Sequence, residues 1–115
     1  MKRLEILAPA GNFASLRAAI QGGADSVFLG VGELNMRASS NINFTVETLP
    51  EAVAICHAAG VKLYLTVNTI VYNEELAAVR ETLELARRTG VDAIIACDQA
   101  VIAMAYDLGL RIHLS

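Results

Sequence analysis

Hydrophobic and polar positions along the chain follow one recurring phrase. A glycine is followed by an apolar residue, a charged residue and a short run rich in β-branched and aromatic side chains. The phrase occurs at Gly23-Ala-Asp-Ser-Val-Phe-Leu, Gly60-Val-Lys-Leu-Tyr-Leu-Thr, Gly90-Val-Asp-Ala-Ile-Ile-Ala and Gly109-Leu-Arg-Ile-His-Leu-Ser. Each run has the length and content of a strand. Each glycine falls where a helix should end, at a position whose left-handed backbone suits a residue without Cβ. A further strand is expected at the start of the chain, over Leu4 to Ala8.

Between these strands the apolar spacing changes to that of helices. Asn12 can cap the first, which puts Leu16, Ala19 and Ile20 on one face. Thr48-Leu-Pro-Glu51 reads as a capping box with Pro50 in the first turn, and Thr45 competes as a cap one turn earlier. Ala52, Ile55, Cys56 and Ala59 form the buried stripe of that helix. Asn73 precedes Glu74 and Glu75, acids suited to the positive end of a helix dipole, and Arg87 and Arg88 suit its negative end. Leu76, Val79, Leu83 and Ala86 face inward there. Asp98 caps a fourth helix carrying Val101, Ile102, Ala105 and Leu108.

The order is βαβαβαβαβ, which predicts an α/β fold with a parallel sheet and right-handed crossovers. Two architectures satisfy it: a doubly wound domain of the flavodoxin type, or the opening strands of an eight-stranded barrel, which takes about 250 residues. Ser115 follows directly on a strand with no covering helix after it. Truncation is the simpler account of that end, and residues 1–115 are then a partial barrel domain.

The bulk composition fits a sheet covered on both faces. Of the 115 residues, 55% are hydrophobic and 18% charged, with a mean hydropathy of +0.48. Soluble domains average roughly 45–50% apolar residues, and strands buried on both faces raise that share. A segment whose covering surface lies elsewhere in a longer protein would raise it too. The net charge of −3 provides no basic field for nucleic acid within this segment. Glu5 and Pro9 interrupt any secretory signal, and Asp92, Asp98 and Asp107 break the apolar stretch near the end, so no membrane span is expected. A cytoplasmic location follows as the expectation. Cys56 and Cys97 form no CxxC pair and read as small buried thiols of a reducing compartment.

In either architecture function gathers at the carboxyl ends of the strands. Those ends carry Ala8-Pro-Ala-Gly-Asn12, the segment from Gly30 to Ala38, Thr66-Val-Asn-Thr69, Cys97-Asp98 and His113 to Ser115. Candidate ligand-positioning residues are therefore Asn12, Asn35, Arg37, Asn68, Asp98 and His113. Arg37 can clamp a carboxylate or phosphate bidentately, or equally bond loop carbonyls and water. Asn68 can orient a ligand or cap structure. Asp98 reads first as an N-cap and only second as an acid. His113 points either into the barrel or toward its helices, and His57 lies near a helix end as a surface residue. Gly30-Val-Gly-Glu-Leu-Asn lacks the third glycine of a dinucleotide fingerprint. The histidines and cysteines match no metal-ligand spacing, and no serine-nucleophile motif occurs.

At these strand ends the chain resembles the U32 peptidases, also called collagenase-like proteases. The likeness rests on Glu5-Ile-Leu-Ala-Pro-Ala-Gly-Asn12, Gly23-Ala-Asp-Ser-Val-Phe-Leu-Gly30, Asn35-Met-Arg-Ala38, Leu63-Tyr-Leu-Thr-Val-Asn-Thr69, Asp92-Ala-Ile-Ile-Ala with Asp98, and Ile112-His-Leu-Ser115. It implies the N-terminal half of a TIM-type (β/α)8 barrel, belonging to a longer protein. The family carries two functional labels. One is peptidase; the other is hydroxylation of tRNA, ribosomal RNA or the ubiquinone ring, by members with an iron–sulfur cluster on four cysteines, the RNA enzymes using prephenate. Those cysteines lie downstream of this region, so no cofactor is expected within the segment itself. Three functions follow: a hydroxylation enzyme acting on RNA or a small molecule, a true peptidase, or a non-catalytic half-barrel. Open sheet edges and an uncovered apolar interior predict a homo-oligomer of this segment.

Overall fold

The computed structural model describes residues 5–31, 44, 45, 47–67 and 76–114. Five strands alternate with four helices: β1 (Leu7–Pro9), α1 (Phe13–Gln21), β2 (Ser26–Leu29), α2 (Leu49–Ala58), β3 (Lys62–Val67), α3 (Leu76–Thr89), β4 (Ala93–Ala96), α4 (Gln99–Asp107) and β5 (Ile112–Leu114). All neighbouring strands are parallel, and their order across the sheet is β1-β2-β3-β4-β5.

That order decides between the two architectures. A doubly wound sheet reverses its direction of winding and covers both faces with helices. Here every strand is added on the same side of the previous one. Right-handed crossovers then place all four helices on one face, and α1 packs on α2, α2 on α3 and α3 on α4. The fold is a half-barrel.

Register assigns the two faces. Val27 pairs with Leu63, Leu29 with Leu65, Leu65 with Ile94, and Val67 with Ala96. These side chains are buried and meet Leu16, Leu49, Ala52, Val53, Cys56, Val79, Leu83, Ala86, Val101 and Ala105 from the helices. Alternate residues of the strands point the other way. One inner row is Pro9, Phe28, Tyr64 and Ala93; the next, nearer the carboxyl ends, is Thr66, Ile95 and His113.

The predicted glycine positions are all left-handed, with φ of +93° at Gly23, +74° at Gly60, +90° at Gly90 and +77° at Gly109. The charged residue of the phrase has a use that spacing did not suggest. Asp25 Oδ2 accepts the Ile6 N–H at 2.7 Å, and Asp92 Oδ2 accepts the Leu63 N–H at 2.8 Å. Each aspartate thus ties its strand's amino end to the strand before.

Three boundaries depart from expectation. β1 begins at Leu7, whose pairing with Ser26 starts at the bond from the Ser26 N–H to the Ile6 carbonyl; Leu4 lies outside the described residues. Pro9 is tolerated in a strand paired on one side only in this sheet. Thr48 makes no side-chain cap for α2. Thr45 and Thr48 instead bond reciprocally, the Thr45 N–H to Thr48 Oγ1 at 2.9 Å and the Thr48 N–H to Thr45 Oγ1 at 3.3 Å. The Leu49 N–H reaches the Thr45 carbonyl at 3.0 Å, so the earlier threonine begins the turn that leads into α2. Ala59 lies just past the end of α2 and is exposed, and Leu49 and Val53 complete the buried stripe. Asn73, Glu74 and Glu75 lie outside the described residues, as does any account of the Leu76 side chain.

Candidate functional site at the carboxyl ends of the strands

Two helices begin at this end with capped N-termini. Asn12 has extended backbone and its Oδ1 accepts the Ser15 N–H at 2.8 Å. Asp98 Oδ1 accepts the Ala100 N–H at 2.8 Å and the Val101 N–H at 3.3 Å. Capping is the first duty of both residues, as the sequence led us to expect for each. The negative carboxylate also lies where the helix dipole favours it.

His113 resolves its two options by register. Paired with Ile95, it lies on the inner face. Its ring meets Tyr64 edge to face, with centroids 4.9 Å apart and planes at 67°. In the same row Thr66 Oγ1 donates to the Leu29 carbonyl at 3.1 Å. A Cβ on Gly30 would come 3.0 Å from that hydroxyl, so glycine there gives Thr66 its place. The structure thus brings Asn12, Asp98 and His113 to one end of the sheet. Asn35, Arg37 and Asn68 lie outside the described residues.

Sequence reasoning missed Tyr64 and Thr66. They read as ordinary strand residues, and only a period-2 count through β3 would have put them on the face opposite Leu63 and Leu65. It also missed a hydrogen-bonded pair at the far end. His57 Nε2 lies 2.8 Å from Asp92 Oδ2, the same oxygen that holds the Leu63 N–H. The imidazole is partly exposed, as expected, but it is partnered.

The cysteines divide. Cys56 is fully buried in α2, and desolvation together with the Asp92 charge pushes its thiol up to about 11. Cys97 is exposed, against expectation, because β4 ends at Ala96 and the chain turns outward before α4. A four-cysteine cluster does not fit these residues: one thiol is buried toward the amino ends of the strands and the other exposed at the carboxyl ends. Among the described residues no group of three or more His, Cys, Asp and Glu is placed to hold a metal ion. No helix among them is long and apolar enough to cross a membrane.

Residues 11–115 match the family model described as Peptidase family U32. The chain belongs to that family. It is 49% identical over 111 residues to a collagenase of Porphyromonas gingivalis, covering 96% of this chain and 27% of the relative. It is 34% identical over 116 residues to a tRNA hydroxylation protein of Bacillus subtilis, covering 99% of this chain and 27% of that protein. The chain therefore spans little more than a quarter of these curated relatives. Among solved structures, a U32 peptidase superposes with a TM-score of 0.74 at 14% identity, over 100% of this chain and 49% of that one. A Bacillus subtilis HMG-CoA lyase superposes at 0.68 and 16% identity, over 94% and 43%. At such identity these two likenesses concern the fold alone.

Proposed function

We propose that this chain is the N-terminal barrel segment of a U32-family enzyme, and that its part in that enzyme is to position a ligand. The observation that carries this reading is that two capped helix starts, after β1 and β4, and an inward-facing histidine in β5 lie at the same end of one parallel sheet, the carboxyl end where barrels of this winding hold their ligands. Helix N-termini present N–H groups and partial positive charge to polar ligands. An exposed imidazole adds a donor or acceptor.

For the whole protein, positioning fits hydroxylation chemistry directly. The tRNA hydroxylation protein aligns with essentially this entire segment, and in this reading a cluster and its four cysteines come from polypeptide beyond the segment. The acidic segment would hold a nucleotide by hydrogen bonds at the rim, with phosphate contacts made elsewhere. Peptide hydrolysis is the second reading, favoured by the 49% identity to the collagenase. It would take its nucleophile or metal from residues other than those described. The cytoplasm is the expected compartment.

The test is expression of the longer polypeptide that contains this segment. Brown protein holding iron and sulfide, together with hydroxylated nucleosides in RNA from cells that carry it and none in cells that lack it, supports the first reading. A colourless protein that cleaves peptides supports the second. Alone, the half-barrel exposes Ile6 and Leu7 (49% each) beside one outer strand and Leu114 (75%) on the other. A second copy covering these edges makes this chain a dimer or larger assembly, and a compact monomer in sedimentation at micromolar concentration would refute that.

A further inference from the structure

Tyr64 and His113 occupy adjoining inner rows, with Ala93 paired beside Tyr64 and Ile95 beside His113. The small Ala93 on the strand between them lets the two rings approach across β4, to 4.9 Å. The rings are unequal partners. Tyr64 is 8% exposed and held by its surroundings, whereas His113 is exposed. Among the described residues neither side chain makes a hydrogen bond, so the edge-to-face contact is what orients the imidazole. Such contacts have a preferred geometry beyond simple burial. A fixed ring can hold a free one in place without occupying its nitrogens.

We infer that Tyr64 is a positioning residue of the ligand site: its buried ring holds the His113 imidazole against the inner wall, with both ring nitrogens left for a ligand. The inference rests on the reading of this end as the ligand site, and it adds a residue that touches no ligand itself. Tyr64 acts through its ring face and edge, so phenylalanine should replace it and an aliphatic residue should not.

The chain has two histidines, so its histidine ring resonances can be assigned with a single His113→Gln variant. In the folded chain, Tyr64→Phe should leave the His113 ring protons close to their wild-type shifts. Tyr64→Leu should move them toward the positions of a free imidazole. His57, tied to Asp92 at the other end of the sheet, should stay unmoved and so report an intact fold. Wild-type protein should also show cross-relaxation between the Tyr64 and His113 rings, a reading that holds even if the leucine variant fails to fold. An unmoved His113 in a folded Tyr64→Leu chain, or no ring-to-ring cross-relaxation, would overturn the inference. In the longer enzyme, Tyr64→Leu should lower kcat/KM several-fold and Tyr64→Phe should restore it. If the ring shifts behave as stated but His113→Gln leaves turnover unchanged, the reading of the ligand site fails and with it Tyr64's role in function, while the ring geometry stands.

Discussion

The two ends of the sheet are built from the same residue types and spend them differently. At the amino ends, carboxylates are committed to the backbone: Asp25 to Ile6, and Asp92 to Leu63 and also to His57. At the carboxyl ends, Asn12 and Asp98 cap the first turns of their own helices, and among the described residues His113 is held by ring packing. Among the described residues one histidine is tied to a carboxylate and the other makes no hydrogen bond. The contrast matches the division of labour in barrel folds, where one end stabilises and the other binds. It also separates the two cysteines, since the buried thiol lies toward the stitched end and the exposed one at the open end.

The largest effect of a single substitution is expected at Asp92. Asp92→Ala removes the acceptor of a part-buried N–H and the partner of His57, and should cost about 2–3 kcal/mol in denaturant unfolding. Asp92→Asn, which keeps an acceptor oxygen, should recover part of that. Gly90→Ala should cost about 1–2 kcal/mol, because φ is +90° there and an L side chain is strained in that region. The nearest atom to the added Cβ, His57 Cε1 at 3.6 Å, is at ordinary contact distance, so the cost is one of backbone. At the carboxyl ends, Asn12→Ala and Asp98→Ala should each cost about 1 kcal/mol, the usual value of a lost N-cap.

The smallest effect at neutral pH concerns the thiols, and it sharpens the contrast by pH. Burial raises the Cys56 thiol from its ordinary 9.0 to about 11, so the folded chain holds that proton more tightly than the unfolded one. The contribution is fully present below pH 9 and is lost as pH rises through 11. Unfolding midpoints should therefore fall across that window, and a Cys56→Ala variant should lose this dependence. At pH 8 a thiol reagent should label Cys97 in the native chain and reach Cys56 only after unfolding.

Much of the half-barrel was legible because its devices are local. The glycine of each phrase needs only its own backbone to be left-handed, and Asn12 and Asp98 bond within three residues of themselves. Strand order was not legible in the periodicity, which says that strands are parallel without saying on which side each is added; the family resemblance implied it, and the observed order agrees. The Asp25 and Asp92 stitches were missed for the same reason: their partners lie 19 and 29 residues away. At Thr45 and Thr48 two caps competed within one turn, and reciprocal bonding between them satisfied neither simple reading. Of the candidate site, sequence could find polar residues at strand ends. It could not tell which face His113 takes, since a short strand ending at Leu114 offers too few positions to fix its phase. Tyr64 was invisible as a site residue because nothing distinguishes an inner-row aromatic from a core one until the neighbouring strand is placed.

Stability thus resides at the amino ends, and His113 is free of structural duty. Parallel urea unfolding of the chain carrying Asp92→Ala or His113→Gln tests it most directly. The prediction is a loss of about 2–3 kcal/mol for Asp92→Ala and of less than about 1 kcal/mol for His113→Gln, which forfeits only a ring contact. Equal losses, or a larger one at His113, would contradict it.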